Sequence, residues 1–149
     1  MKYFRMSFRF NKSNYADFGL ICKNGKFYNN DDNSEWKMMK LYDFGWGQEN
    51  GFYRLPVGDF DFLIHLVLYS NDEEDSYGAA AYINELLCLD LKTFLLDYIK
   101  EKHSKDEIRK LKDLFDLSNP LNRTFAVSMT LDEIKNESND WKKISNYFA

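Results

Sequence analysis

The segment DFDFLIHLVLYSNDEEDSYGAAAYINELL, residues 59–87, decides the fold, because the strand-like patterns of the chain end where it begins. Asp59 can cap a helix N-terminus, and Asp61 would follow in the first turn, where the helix dipole favours a carboxylate. The apolar pattern of Phe62–Tyr69 alone fits either a buried strand or a buried helix. The cap and the Leu-rich composition favour a helix.

Four more helical patterns follow, and the last of them lies at the C-terminal end of the chain. Ser76–Leu87 predicts a helix, since Ala79-Ala80-Ala81 has high helix propensity. Asp90 is predicted to cap the next helix, which extends to Ile99. Ser104 begins a further helix through a capping box with Glu107. That helix is expected to end at Ser118-Asn119-Pro120, because proline cannot continue a helix.

The C-terminal part adds a short strand and a last helix. Thr124–Met129 alternates and contains β-branched residues, which predicts a strand. Thr130 and Glu133 form a second capping box. The last helix is expected to begin at Leu131 and to pause near Ser138-Asn139.

The N-terminal third is typical of β-structure. Lys2–Phe10 alternates in part, with the two-residue period of a half-buried strand. Asn24-Gly25 between two apolar runs, Gly19–Cys22 and Lys26–Tyr28, predicts a hairpin with a type I′ turn. Glu35–Tyr42 fits a strand or a short helix. The segment from Phe44 to Tyr53 is expected to be a loop, because Gly45, Gly47 and Gly51 interrupt it.

These elements predict an α+β fold in a single domain, residues 1–149. Residues 1–58 would form a β-rich part, an N-terminal antiparallel hairpin or meander. It would pack against a mainly helical part, residues 59–149, a bundle of short antiparallel helices whose stacking is HEAT-like.

Composition and charge favour binding over chemistry. The chain has 149 residues, 44% of them apolar, and a net charge of −4. Residues 59–99 contain nine acids and one base, so this third holds the whole excess. Such a field repels nucleic acid and anionic membranes and attracts basic partners. With no signal-peptide pattern and no apolar run of about 20 residues, we expect a cytoplasmic protein.

Sequence motifs for catalysis are few. His65 lies in an apolar run and is expected to be buried, while His103 follows the end of a helix, where the helix dipole favours it. Cys22 and Cys88 lack metal-ligand spacing and are expected to be buried. We therefore predict no catalytic residue, no metal and no cofactor. A hydrolase or metal enzyme that uses carboxylates is the remaining enzymatic alternative.

The best candidate for a partner-binding site is the acidic corner, Asp72-Glu73-Glu74-Asp75, which is predicted to be exposed between two helices. Tyr77 and Tyr69 would act as aromatic anchors beside it. The alternative is a solvated helix N-terminus with carboxylates placed to suit the helix dipole. Trp36, Tyr42 and Trp46 are secondary aromatic candidates for the same partner.

The C-terminal segments Thr130–Ile134 and Asp140–Ser145 are similar to the endings of immunity proteins from bacterial toxin–immunity systems. Those proteins are also small, acidic and of mixed α+β content. The resemblance implies a cytosolic inhibitor that masks the active surface of a toxin, and a basic toxin would suit the acidic corner. A helical scaffold, an adaptor or a self-associating domain without catalysis is the alternative.

Overall fold

A computed structural model describes residues 1–6, 15–43, 47–117 and 130–149, and its architecture confirms the α+β class. The described part divides into two compact units, Met1–Tyr82 and Ile83–Ala149. Its elements are a 3-10 helix (Tyr15–Phe18), β1 (Phe4–Met6), β2 (Leu20–Lys23), β3 (Lys26–Asn29), β4 (Glu35–Asp43), β5 (Gly47–Arg54), α1 (Phe60–Tyr69), α2 (Glu73–Leu86), α3 (Cys88–Tyr98), α4 (Lys105–Phe115) and α5 (Leu131–Phe148). The single-domain organisation stays a prediction.

The strands form one antiparallel sheet in the order β1-β5-β4-β3-β2. The predicted hairpin is confirmed between β2 and β3, where Asn24 and Gly25 have φ values of 53° and 77°. Two consecutive positive φ values are what a type I′ turn requires. Glu35–Tyr42, which the sequence left ambiguous, lies in strand β4.

The loop predicted around Gly47 and Gly51 is wrong, because both residues belong to β5. Gly51 pairs with Met6 of β1, and the Met6 sulfur lies 2.9 Å from where a Cβ atom of residue 51 would be. A side chain would displace Met6, so this glycine makes room inside the sheet and does not interrupt it.

Aromatic side chains form the core of the first unit on both faces of the sheet. One face carries the buried cluster Phe18, Leu20, Trp36 and Phe52, with Phe27 packed against it. On the other face Phe4 and Tyr53 contact Tyr82 of α2, at 6.3 and 5.1 Å between ring centroids. Gly78 allows this approach, since a Cβ atom there would collide with the side chain of Phe4.

Helix α1 confirms the helical interpretation of the apolar run. The side chain of Asp59 accepts a hydrogen bond from the backbone N–H of Phe62 at 2.9 Å, as expected of an N-cap. Five residues of this helix are buried: Leu63, Ile64, Leu66, Val67 and Leu68.

The second unit is helical. Both predicted capping serine and threonine residues are confirmed, since Ser104 accepts from the N–H of Glu107 and Thr130 from that of Glu133, each at 3.2 Å. Its core contains fully buried apolar side chains of α3, α4 and α5: Leu91, Leu95, Leu111, Phe115, Ile144 and Phe148.

Two helix predictions in this unit are wrong. Helix α3 begins at Cys88, so Asp90 lies in its first turn and does not cap it. Helix α5 runs without a pause from Leu131 to Phe148. The buried side chains of Trp141 and Ile144 continue its apolar face past Ser138-Asn139, and this packing outweighs the low helix propensity of those residues.

Several expectations concern residues that the structure does not describe. Phe10, the predicted strand Thr124–Met129 and the predicted helix end at 118–120 fall among these residues. Helix α4 already ends at Phe115, and Asp116 follows in the left-handed conformation with φ 51°. Such a residue commonly terminates a helix.

Candidate partner-binding site

The acidic corner forms the start of α2. The helix begins at Glu73, three residues before the predicted Ser76. The Asp72 side chain accepts hydrogen bonds from the backbone N–H groups of Glu74 (2.9 Å) and Asp75 (3.1 Å). Asp72 therefore acts as the helix cap, and the next three carboxylates occupy the first turn.

Two of those carboxylates are buried and hold strand β1. Asp75 is 2% exposed, and its Oδ1 atom accepts the backbone N–H groups of Tyr3 and Phe4, both at 2.9 Å. Glu74 is 3% exposed, and its Oε2 atom accepts the N–H of Met6 at 2.8 Å. The prediction that the whole corner is exposed is therefore wrong for Glu74 and Asp75.

The position of β1 at the edge of the sheet explains this burial. An edge strand has N–H groups on one side that no neighbouring strand accepts. A buried N–H without an acceptor is costly, and carboxylates are strong acceptors. Because α2 approaches β1 closely at Gly78, its first turn supplies those acceptors.

Lys2 compensates the charge of the buried end of the corner. Its ammonium group lies 2.8 Å from Asp72 and 2.7 Å from Glu74. Partial burial would lower the pKa of Lys2, but the hydrogen bonds to Asp72 and Glu74 outweigh it, so the pKa is raised above 10.5. No local sequence pattern indicates this role of Lys2, because Asp72 lies 70 residues away along the chain.

The two aspartates respond in opposite ways. Burial raises the pKa of Asp75, and the hydrogen bonds from Tyr3 and Phe4 only partly oppose it. Burial would also raise the pKa of Asp72, but the hydrogen bonds from Lys2 and from the start of α2 lower it below its usual value. Both carboxylates therefore already accept hydrogen bonds that stabilise the folded structure.

An exposed surface remains beside the corner. We call Asp61, His65, Tyr69 and Glu73 the tyrosine surface; all four residues are exposed, and Tyr69 is 55% exposed. The rings of His65 and Tyr69 contact each other with centroids 5.0 Å apart. The expected burial of His65 is wrong, because His65 lies on the side of α1 opposite to the buried Leu63 and Val67.

The other predicted anchors are less accessible. Tyr77 is half-buried, and Trp36 is 1% exposed in the core of the sheet. Trp36 therefore cannot contact a partner directly, since it lies in the buried cluster with Phe18 and Phe52. Tyr42 lies in β4, and Trp46 falls outside the described residues.

The described residues contain no group of three or more histidine, cysteine, aspartate or glutamate side chains that could hold a metal ion. Cys22 is exposed and Cys88 is partly exposed, so their expected burial is wrong. Within the ranges that the structure covers, no helix has the length and apolar character needed to cross a membrane.

No protein-family model matches this chain, and neither a curated protein nor a solved structure matches it.

Proposed function

We propose that this protein is an immunity-type inhibitor, which binds a basic protein partner, a toxin domain, and neutralises it by covering its active surface. The observation that carries the proposal is the tyrosine surface, where an exposed aromatic ring lies among carboxylates. The resemblance of the C-terminal segments to immunity proteins supports the same function.

The spacing of the tyrosine surface suits a protein interface. Asp61, His65 and Tyr69 follow each other at intervals of four residues along α1, so they share one side of the helix over about 12 Å. Glu73 begins the next helix. Among the described ion pairs, none involves Asp61 or Glu73, so both negative charges remain available to a partner.

The two kinds of residue would have different effects on binding. Exposed carboxylates attract a basic partner over about one Debye length and so raise the association rate. A tyrosine buried at the centre of an interface slows dissociation, since aromatic anchors dominate binding energy. Glu74 and Asp75 would contribute only indirectly, by fixing α2.

A direct test uses the product of the neighbouring reading frame as the partner and measures binding kinetics by surface plasmon resonance. We expect Glu73→Gln to slow association about two- to fivefold at low salt, and Tyr69→Ala to speed dissociation about tenfold or more. Glu101→Gln is the matched control, because it removes one exposed charge from the loop after α3. Equal changes of the association rate in Glu73→Gln and Glu101→Gln would contradict the assignment of the tyrosine surface as the binding site.

The same partner distinguishes an inhibitor from an adaptor. An inhibitor suppresses the toxicity or the enzymatic activity of the bound partner at equimolar ratio. An adaptor binds with the same kinetics and leaves that activity unchanged. Growth of cells that express the partner, with and without this protein, separates the two functions.

A further inference from the structure

A basic groove lies between α4 and the C-terminal end of α5 in the second unit. Its volume is about 400 Å³, within the range of small binding pockets. Lys105, Arg109 and Lys112 follow one side of α4, while Ile108 and Tyr147 add apolar surface. We call these five residues the basic groove.

The positive charge of the groove is partly compensated and stays in excess. Arg109 pairs with Asp106 at 3.1 Å, but both side chains are more than 70% exposed, and such pairs contribute little. Lys105 and Lys112 have no ion pair among the described residues. Asp113 and the C-terminal residue Ala149 also line the groove, and their carboxylates leave the three basic side chains in excess by one charge.

The same unit presents a surface of opposite sign at the junction of α2 and α3. Leu86 and Leu89 are 58% and 64% exposed, although Leu91 and Leu95 of the next turns are fully buried. Exposed Glu85 and Asp90 flank the two leucines. We call Glu85, Leu86, Leu89 and Asp90 the leucine surface.

The one base in the acidic third of the chain, residues 59–99, does not neutralise the leucine surface, because it pairs with carboxylates of α5. Lys92, the single base in residues 59–99, forms an ion pair with Glu137 and lies 3.6 Å from Asp140 of α5. The two surfaces thus combine an apolar centre with a charged margin, and the margins have opposite signs.

We propose that a second copy of this chain docks its leucine surface into the basic groove. Apolar side chains at the centre and opposite charges at the rim are the usual complementarity of a protein interface. Because the two surfaces share no residue, the contact is head-to-tail, and each bound copy still offers one free groove or one free leucine surface. Neither surface contains a residue of the tyrosine surface. Variants that change self-association therefore leave the residues proposed to bind the toxin unchanged.

Light scattering after size exclusion tests the association with the full chain. We expect the average mass to rise with protein concentration at about 50 mM salt and to rise much less at about 500 mM, because the longer Debye length at low salt preserves the attraction. A wild-type protein that stays monomeric over the accessible concentrations would overturn the proposal.

Two variants that each disable one surface give a sharper test. Arg109→Glu reverses the groove, and Glu85→Lys reverses the leucine surface; both positions are exposed, and a lysine near a helix C-terminus is favourable. Each variant alone should remain monomeric. Their equimolar mixture should associate, because the groove of Glu85→Lys can bind the leucine surface of Arg109→Glu, and the two reversed surfaces are again of opposite charge.

The mixture separates this geometry from other modes of association. Self-association of either variant at the wild-type level, or a mixture that stays monomeric, would contradict the head-to-tail contact. Circular dichroism confirms that each variant is folded. If one is not, Lys112→Glu and Asp90→Asn replace the pair, and Asp90→Asn, which removes one of two charges, should weaken self-association without abolishing it.

Discussion

Replacement of Asp75 by alanine removes the oxygen that accepts two backbone N–H groups at the start of β1, those of Tyr3, which precedes the strand, and Phe4. A buried N–H left without an acceptor costs about 1–3 kcal/mol, and the Phe4 group is the more deeply buried of the two. Removal of a buried charge returns part of that cost. We therefore expect Asp75→Ala to lower the free energy of unfolding by about 2–3 kcal/mol.

Asp75→Asn separates hydrogen bonding from charge. Both N–H groups bond to the same oxygen, Oδ1, so an asparagine with its carbonyl oxygen in that place keeps both bonds. Since burial raises the pKa of Asp75, the neutral side chain also avoids the cost of a buried charge. We expect Asp75→Asn to change the free energy of unfolding by less than about 1 kcal/mol.

Urea denaturation followed by tryptophan fluorescence measures both variants. With a slope of about 1–3 kcal/mol per molar urea, Asp75→Ala should lower the midpoint by about 0.7 M or more. The midpoint of Asp75→Asn should stay close to that of the wild type. Equal midpoints for the two variants, or an Asp75→Ala midpoint unchanged from the wild type, would refute the role of Asp75 as the acceptor for β1.

Three further perturbations test other parts of the structure. Gly78→Ala should destabilise the protein by about 1–2 kcal/mol in a thermal melt, because the collision of the new Cβ atom with Phe4 outweighs the gain in helix propensity. Lys2→Met should destabilise the protein at neutral pH, and its difference from the wild type should shrink as the pH rises through the folded pKa above 10.5, since a raised lysine pKa stabilises only below that value. Hydrogen bonds from Ser34, and then from Arg54, lower the pKa of Asp32 to about 2. Ser34→Ala should raise this pKa, as measured in a carboxyl NMR titration.

Local signals in the sequence were sufficient for most elements. The Asn24-Gly25 pair indicated the β2–β3 hairpin, and the capping residues Asp59, Ser104 and Thr130 indicated where three helices begin. These signals work because turn and cap geometry depends on a few adjacent residues.

Features that depend on distant contacts were missed. Gly51 indicated a loop, because its need to make room for Met6 arises only after β1 pairs with β5. Ser138-Asn139 indicated a pause in α5, because the packing of Trp141 and Ile144 is not visible from local propensity.

The candidate site shows the same division. The sequence located the negative charge, but it could not show that Glu74 and Asp75 accept N–H groups of β1 from 68 to 72 residues away. Tyr69 and Glu73 remain from the predicted site, and the exposed Asp61 and His65 join them. The helical period of α1, applied to the run from Asp61 to Tyr69, indicates that the side chains of Asp61, His65 and Tyr69 share a face.

The acidic corner is divided, since Asp75 and Glu74 hold β1 while Glu73 is exposed to solvent. Amide hydrogen exchange of Phe4 tests this division most directly, in the wild type and in two alanine variants. We predict a protected Phe4 amide in the wild type and in Glu73→Ala, and a loss of that protection in Asp75→Ala. Equal exchange rates in Asp75→Ala and Glu73→Ala, or an unprotected Phe4 amide in the wild type, would contradict the division.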